Sequence, residues 1–146
     1  MNWLYLGIAA LAGAAMALQG TFNAALGKSI GVWSSTLLVH IIGTATAFFI
    51  MLFCRSGWFN LEQLSQVPWY AFLGGLLNVL IIYGVVKTIP QVGVGNATTA
   101  IIVAQILTAV LIDGLGAFGM KKYEFQYLDL IGIALLAIGG RILLLK

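Results

Sequence analysis

Polar side chains stand at depth inside largely apolar stretches of sequence, and six of them are the candidates for chemistry: Gln19, Asn23, His40, Asn78, Gln105 and Asp113. Gln19 and Asn23 are four residues apart, on one face if the segment is helical, and offer two amides that each donate and accept hydrogen bonds. His40 has Thr36 and Thr44 at i−4 and i+4. Its imidazole adds a donor, an acceptor and a proton that exchanges near neutral pH. Asn78 follows Gly74 and Gly75, small residues that leave room for a ligand or a neighbouring backbone. Thr98, Gln105 and Thr108 share one helical face, and Asp113 is the single acidic residue well inside an apolar stretch. Such a set can hydrogen-bond a solute and carry or compensate a charge. It lacks the nucleophile with a base, the paired carboxylates or the metal set that an intramembrane enzyme needs.

Each residue also has a plainer use. Intramembrane amides join helices by hydrogen bonds worth about 0.6–2 kcal/mol, and Thr commonly bonds the backbone of its own helix. A neutral His40 can simply bond a neighbour. Asp113 can sit near an interface or pair with a base beyond its own helix, Lys121 being eight residues on, or about 12 Å along a helix axis. The stronger reading follows from cost: an ionised group in hydrocarbon is unfavourable by several kcal/mol, so one that is kept there usually has a function. Lys87 and Arg141 lie close to the ends of apolar stretches and can snorkel to the headgroups.

The elements that position these residues follow from composition. Of 146 residues, 62% are hydrophobic and 8% charged, and the mean hydropathy is +1.07. A soluble domain averages about 45–50% apolar and about 25% charged, so lipid must be the solvent for most of this chain. Five apolar spans are expected, at about 3–26, 32–53, 69–86, 94–118 and 127–145, forming one all-α transmembrane unit. The breaks fall at Gly27-Lys28-Ser29, at Cys54 to Gly57, at Lys87, Pro90 and Gln91, and at Lys121, Lys122 and Glu124. About 20 helical residues cross a ~30 Å hydrocarbon core. Helix is forced, since lone strands leave backbone groups unpaired in lipid. Trp3, Tyr5, Trp33, Trp58, Phe59, Trp69, Tyr70, Tyr123 and Tyr127 stand where interfacial aromatics belong. The N-terminal span is expected to be a retained helix rather than a signal peptide, because residues 2–18 hold no Lys or Arg. Small residues four or seven apart, Gly13 with Ala17, Gly20 with Ala24 and Gly132 with Gly139, mark faces where helices can approach closely.

Charge placement bears on orientation. With five spans, Arg55, Lys121 and Lys122 fall on one side and Lys28, Lys87, Arg141 and Lys146 on the other. That near-tie gives the positive-inside bias no direction. A chain without bias can insert both ways, and two opposed copies then reproduce the inverted repeat on which many carriers are built. The basic residues are isolated or paired and flank apolar runs, so the net charge of +3 is a topology signal and no nucleic-acid partner is expected. The single cysteine, Cys54, excludes an intramolecular disulfide. No H-E-x-x-H or G-x-S-x-G motif occurs, and Gly93-Val94-Gly95 lacks the rest of a nucleotide fingerprint. Neither enzyme chemistry, a metal nor a cofactor is expected.

Five spans, balanced charge, Gln19-x-x-x-Asn23, His40, Gly74-Gly75-x-x-Asn78, and Gln105 with Asp113-Gly114 together give a chain that resembles the YdcZ-like family of the drug/metabolite transporter superfamily. The resemblance covers essentially the whole chain. It implies a half-size exporter of the bacterial inner (cytoplasmic) membrane, a multi-pass protein reaching ten helices as an antiparallel dimer. The partner is then a second copy or an oppositely oriented paralogue, and the solute is small and polar or amphipathic. The small multidrug exporters of the same superfamily are similar but have four helices and a Glu in the first. The first span here has Gln19 and Asn23 and no acid, so proton-coupled exchange of cations does not carry over. On this view Gln19, Asn23, His40, Asn78, Gln105 and Asp113 line the solute cavity, with Asp113 and His40 available for charge compensation or proton coupling. The competing view is a non-transporting membrane subunit that scaffolds a partner protein, its polar residues serving as glue.

Overall fold

A computed structural model describes residues 3–54, 61–120, 122–124 and 126–143. Of the residues singled out above, Arg55, Trp58, Phe59, Lys121 and Lys146 lie outside the described residues, as does the 144–145 end of the fifth expected span. The described chain is helical: α1 (Trp3–Ile30), α2 (Val32–Phe53), the short α3 (Leu61–Ser65), a 3-10 turn (Trp69–Phe72) leading into α4 (Leu73–Val92), α5 (Val94–Leu115), a turn at Ala117–Gly119, and α6 (Tyr127–Leu143). Four stretches are long and apolar enough to cross a membrane: Trp3–Ile30, Val32–Phe53, Trp69–Val92 and Val94–Leu115. The α6 helix has 17 residues in its described part, about 26 Å of rise.

Exposure agrees with a lipid solvent. Leu11 is 73% exposed, Leu111 64% and Leu135 64%, while the buried apolar side chains among the described residues are Ala24, Ile82, Val86, Ile89 and Ala97. Water would not tolerate that inversion; acyl chains favour it.

The helix joints fall later than the polar residues implied. The first helix was expected to stop near Leu26, yet it runs through Gly27-Lys28-Ser29 to Ile30. The third span was expected to stop near Val86, yet α4 continues through Lys87, Pro90 and Gln91 to Val92. A helix in lipid keeps its backbone bonded whatever side chains it carries, and Lys87 or Lys28 can remain helical while reaching for the headgroups. The chain breaks where the backbone must leave the helical region. Gly31 (φ 88, ψ 156) and Gly93 (φ 84, ψ 160) are single-residue joints in a region of backbone space essentially closed to residues with a Cβ. Conversely α5 stops at Leu115, before the expected Phe118. Gly116 adopts the left-handed conformation (φ 61, ψ 33), and its N–H caps the carbonyls of Ile112 and Asp113.

The chain divides into two compact units, Met1–Gln91 and Val92–Lys146. In the first, α4 packs against both α1 and α2. Ile82, Val85, Val86 and Ile89 form its packed stripe, with the spacing of one helical face, and Asn78, one turn before Ile82, continues that face as an exposed residue. On α1, Gly20 faces Val85 and Ile89, and Gly27 is pressed against Val86 and Ser35. Gly20, Asn23 and Ala24 are buried along this seam. On α2, Trp33 stacks on Tyr83 with ring centroids 4.5 Å apart, and Lys87 holds the Tyr83 hydroxyl at 3.4 Å. In the second unit α6 packs on α5 through Gly140, against Val103 and Thr99. Gly132 and Gly139, expected as the close-packing pair of this helix, have open space where a Cβ would be. The start of α6 is capped from within, since Asp129 Oδ2 accepts the Gln126 N–H at 2.8 Å.

Candidate functional site

The site is assembled on α2. Along one of its faces Thr36 donates its hydroxyl to the Val32 carbonyl at 2.8 Å, and Nδ1–H of His40 donates to the Thr36 carbonyl at 2.7 Å. A carbonyl can only accept, so the ring hydrogen of a neutral imidazole is on Nδ1 and the lone pair on Nε2. That lone pair points across to α4, where the Asn78 side-chain amide donates to it at 3.1 Å. An imidazole with both nitrogens occupied has a fixed ring plane and a fixed tautomer.

Around this pair lies a cavity of about 290 Å³ lined by Gln19, Val39, His40, Gly43, Thr44, Ala47, Asn78 and Ile82. Three helices contribute, α1, α2 and α4. The midpoint of α1 falls between Met16 and Ala17, that of α2 between Ile42 and Gly43, and that of Trp69–Val92 between Leu80 and Ile81. Gln19, His40 and Asn78 are each within three residues of those midpoints, about 4 Å along an axis. The polar cavity is therefore close to the centre of its spans, where carrier sites are built. Among the described residues the side chains of Gln19 and Thr44 make no hydrogen bond, and their donors and acceptors are available. By contrast Thr36, Thr46, Thr99 and Thr108 bond carbonyls of their own helices.

An open depression of about 470 Å³ in the surface of α2 adjoins this cavity. It is lined by His40, Ile41, Thr44, Ala45, Phe48 and Phe49, so His40 and Thr44 belong to both. Phe48 and Phe49 meet edge to face, with centroids 6.1 Å apart. The sequence signal for these aromatics is register alone: Phe48 continues the i+4 series from His40 through Thr44 and so belongs to the same helical face.

Of the six residues proposed from the sequence, three converge here: Gln19, His40 and Asn78. Asn23 is 6% exposed on the seam of α1 and does not line this cavity. Its side chain makes no hydrogen bond among the described residues. Gln105 and Asp113 are both on α5, in the second unit, and both are exposed. Asp113 was expected well inside its span. It is in the last turn of α5, because Gly116 ends the helix. It lines a cavity of about 230 Å³ with Val110, Gly114, Tyr123 and Asp129. Its backbone carbonyl accepts the N–H groups of Gly116 at 3.2 Å and Tyr123 at 2.9 Å, tying the following turn to the helix end. Gly74 and Gly75, read as making room beside Asn78, have open space on their Cβ sides. Among the described residues no group of three or more His, Cys, Asp or Glu is arranged to hold a metal.

Residues 4–142 match the model of a family described as "Putative inner membrane exporter, YdcZ". No curated protein and no solved structure matches the chain.

Proposed function

The chain belongs to the YdcZ family of inner-membrane exporters, multi-pass proteins of that membrane, and from this membership we propose that two oppositely inserted copies form an alternating-access carrier for a small polar or amphipathic solute. Gln19, His40 and Asn78 bind the solute in each copy. Asp113 and His40 are the candidates for charge compensation or proton coupling.

The observation that carries this reading is the mid-span cavity in which His40 and Asn78 satisfy one another while Gln19 and Thr44 keep their hydrogen-bonding capacity free. Glue would use its polar groups up between helices; here two are left facing space. The antiparallel pairing is supported by the near-equal division of basic residues and by the open faces at Gly132 and Gly139, seven residues apart on α6. Small residues so placed let a helix of a second copy come close.

The test joins topology to flux. Reporters fused to the C-terminus should be active from both sides of the membrane. Purified chain in proteoliposomes should export solute at a rate that Asn78→Leu lowers about tenfold, as expected when a hydrogen-bonding group is lost from a binding site. A single orientation moves the reading to pairing with an oppositely oriented paralogue. Flux indifferent to both Asn78→Leu and Gln19→Leu leaves the non-transporting subunit.

A further inference from the structure

We propose that the site takes an uncharged amphipathic solute, with a hydrogen-bonding head held by Gln19, His40 and Asn78 and an apolar body lying along Phe48 and Phe49. The inference rests on the carrier reading above and narrows it to one chemical class.

The cavity and the depression share His40 and Thr44 as a common wall. On one side of that wall stand the amides of Gln19 and Asn78, and on the other Ile41, Ala45, Phe48 and Phe49. A molecule occupying both must be polar at one end and apolar at the other. The apolar part is open, so the body of such a molecule lies in a surface depression whose walls include Phe48 and Phe49, both about half exposed.

The head must be uncharged. Neither lining contains Asp, Glu, Lys or Arg. No residue of α2 is an Asp, Glu, Lys or Arg. On α1 the nearest charge to Gln19 is Lys28, and on α4 the nearest to Asn78 is Lys87, each nine residues away or about 13 Å along the axis. His40 is no counter-ion either, since its Nδ1–H is given to the Thr36 carbonyl and its Nε2 lone pair to Asn78. An ion at mid-span without a partner is unfavourable by several kcal/mol. What the chamber does offer is mixed donors and acceptors: the whole Gln19 amide, the Thr44 hydroxyl, and the Asn78 Oδ1 with its second N–H. That set complements an amide, sulfonamide, urea or alcohol.

The experiment uses the full chain in lipid nanodiscs and three fluorescent probes with one aromatic body: dansylamide, a dansyl derivative carrying trimethylammonium, and one carrying sulfonate. Dansylamide should bind saturably above empty nanodiscs, and both charged probes about tenfold more weakly or worse. Asn78→Leu and the pair Phe48→Ala/Phe49→Ala should each weaken dansylamide about tenfold, through the head and the body respectively. Asn78→Asp should reverse the preference toward the trimethylammonium probe, a gain that loss of packing cannot imitate. Wild-type binding of either charged probe as tight as dansylamide, and sensitive to Asn78→Leu, overturns the uncharged head while leaving the carrier site standing. Dansylamide binding that responds to Asn78 but not to the two phenylalanines overturns the amphipathic class and gives the apolar depression to a lipid chain or a second copy. Binding of all three probes indifferent to Asn78 overturns both this inference and the site itself.

Discussion

Asn78 donates its amide hydrogen to Nε2 of His40 across 3.1 Å, and Thr36 fixes the direction of that bond by accepting from Nδ1 at 2.7 Å. The three residues form a relay from the backbone of α2 to a side chain of α4. Neither helix alone specifies the site: α2 sets the tautomer, and α4 supplies the group that reads it. Because the bond runs between helices at mid-span, it both orders the cavity and ties the helices that surround it.

The first prediction measures that tie. His40→Leu and Asn78→Leu should each destabilise the chain by about 1 kcal/mol, the usual scale of an interhelical hydrogen bond in a membrane. The double substitution should cost nearly the same as either alone, because the second change removes a bond already lost. Reversible unfolding in mixed micelles, run as a double-mutant cycle, checks it. Strictly additive losses would mean that the bond carries no coupling.

A second prediction concerns the seam between α1 and α4. A Cβ on Gly27 would collide with Val86 Cγ1 and approach Ser35 Oγ to 3.3 Å, whereas one on Gly20 would meet only the side-chain ends of Val85 and Ile89, at 3.1 and 3.2 Å. Gly27→Ala should therefore cost about 1–3 kcal/mol as overpacking and Gly20→Ala less. Adding Val86→Ala should recover most of the Gly27→Ala loss. Gly31→Ala should cost about 1–3 kcal/mol by a different route, since at φ 88 the strain is in the backbone and no neighbour can relieve it. Gly13→Ala, with nothing within 4 Å of the new Cβ, is the control. Thermal unfolding of the five variants separates the two mechanisms.

These glycines also mark where the sequence was legible. The solvent, the helical class and the family resemblance followed from hydropathy and a handful of spaced residues, and α2 has the bounds expected of it. Gln19, His40 and Asn78 were visible as polar groups at depth, because hydrocarbon makes any amide conspicuous. Their meeting was not visible. Residues 40 and 78 approach through the packing of α4 on α2, and that depends on Trp33 against Tyr83 and on the room left by Gly20 and Gly27. The joints were misplaced for a single reason: Lys28, Lys87 and Pro90 look like breaks in hydropathy, while the chain turns where only glycine can, at Gly31 and Gly93. The same substitution of hydropathy for backbone geometry put Asp113 too deep, since the apolar run continues past the Gly116 cap.

The position of Asp113 gives the last prediction. Its carbonyl holds the turn after α5, through Gly116 and Tyr123, but its carboxylate makes no hydrogen bond among the described residues. Backbone duties survive substitution, so Asp113→Asn should change stability by less than about 0.5 kcal/mol, as for an exposed site with no special contact. Asp129→Asn is the opposite case. It weakens a charged cap on the Gln126 N–H at the start of α6, and should cost about 0.5–1 kcal/mol with little effect on flux. If Asp113 serves coupling, Asp113→Asn in proteoliposomes should transport downhill but no longer respond to an imposed proton gradient, with dimer assembly by cross-linking unchanged. Retained response to the gradient would remove Asp113 from the mechanism.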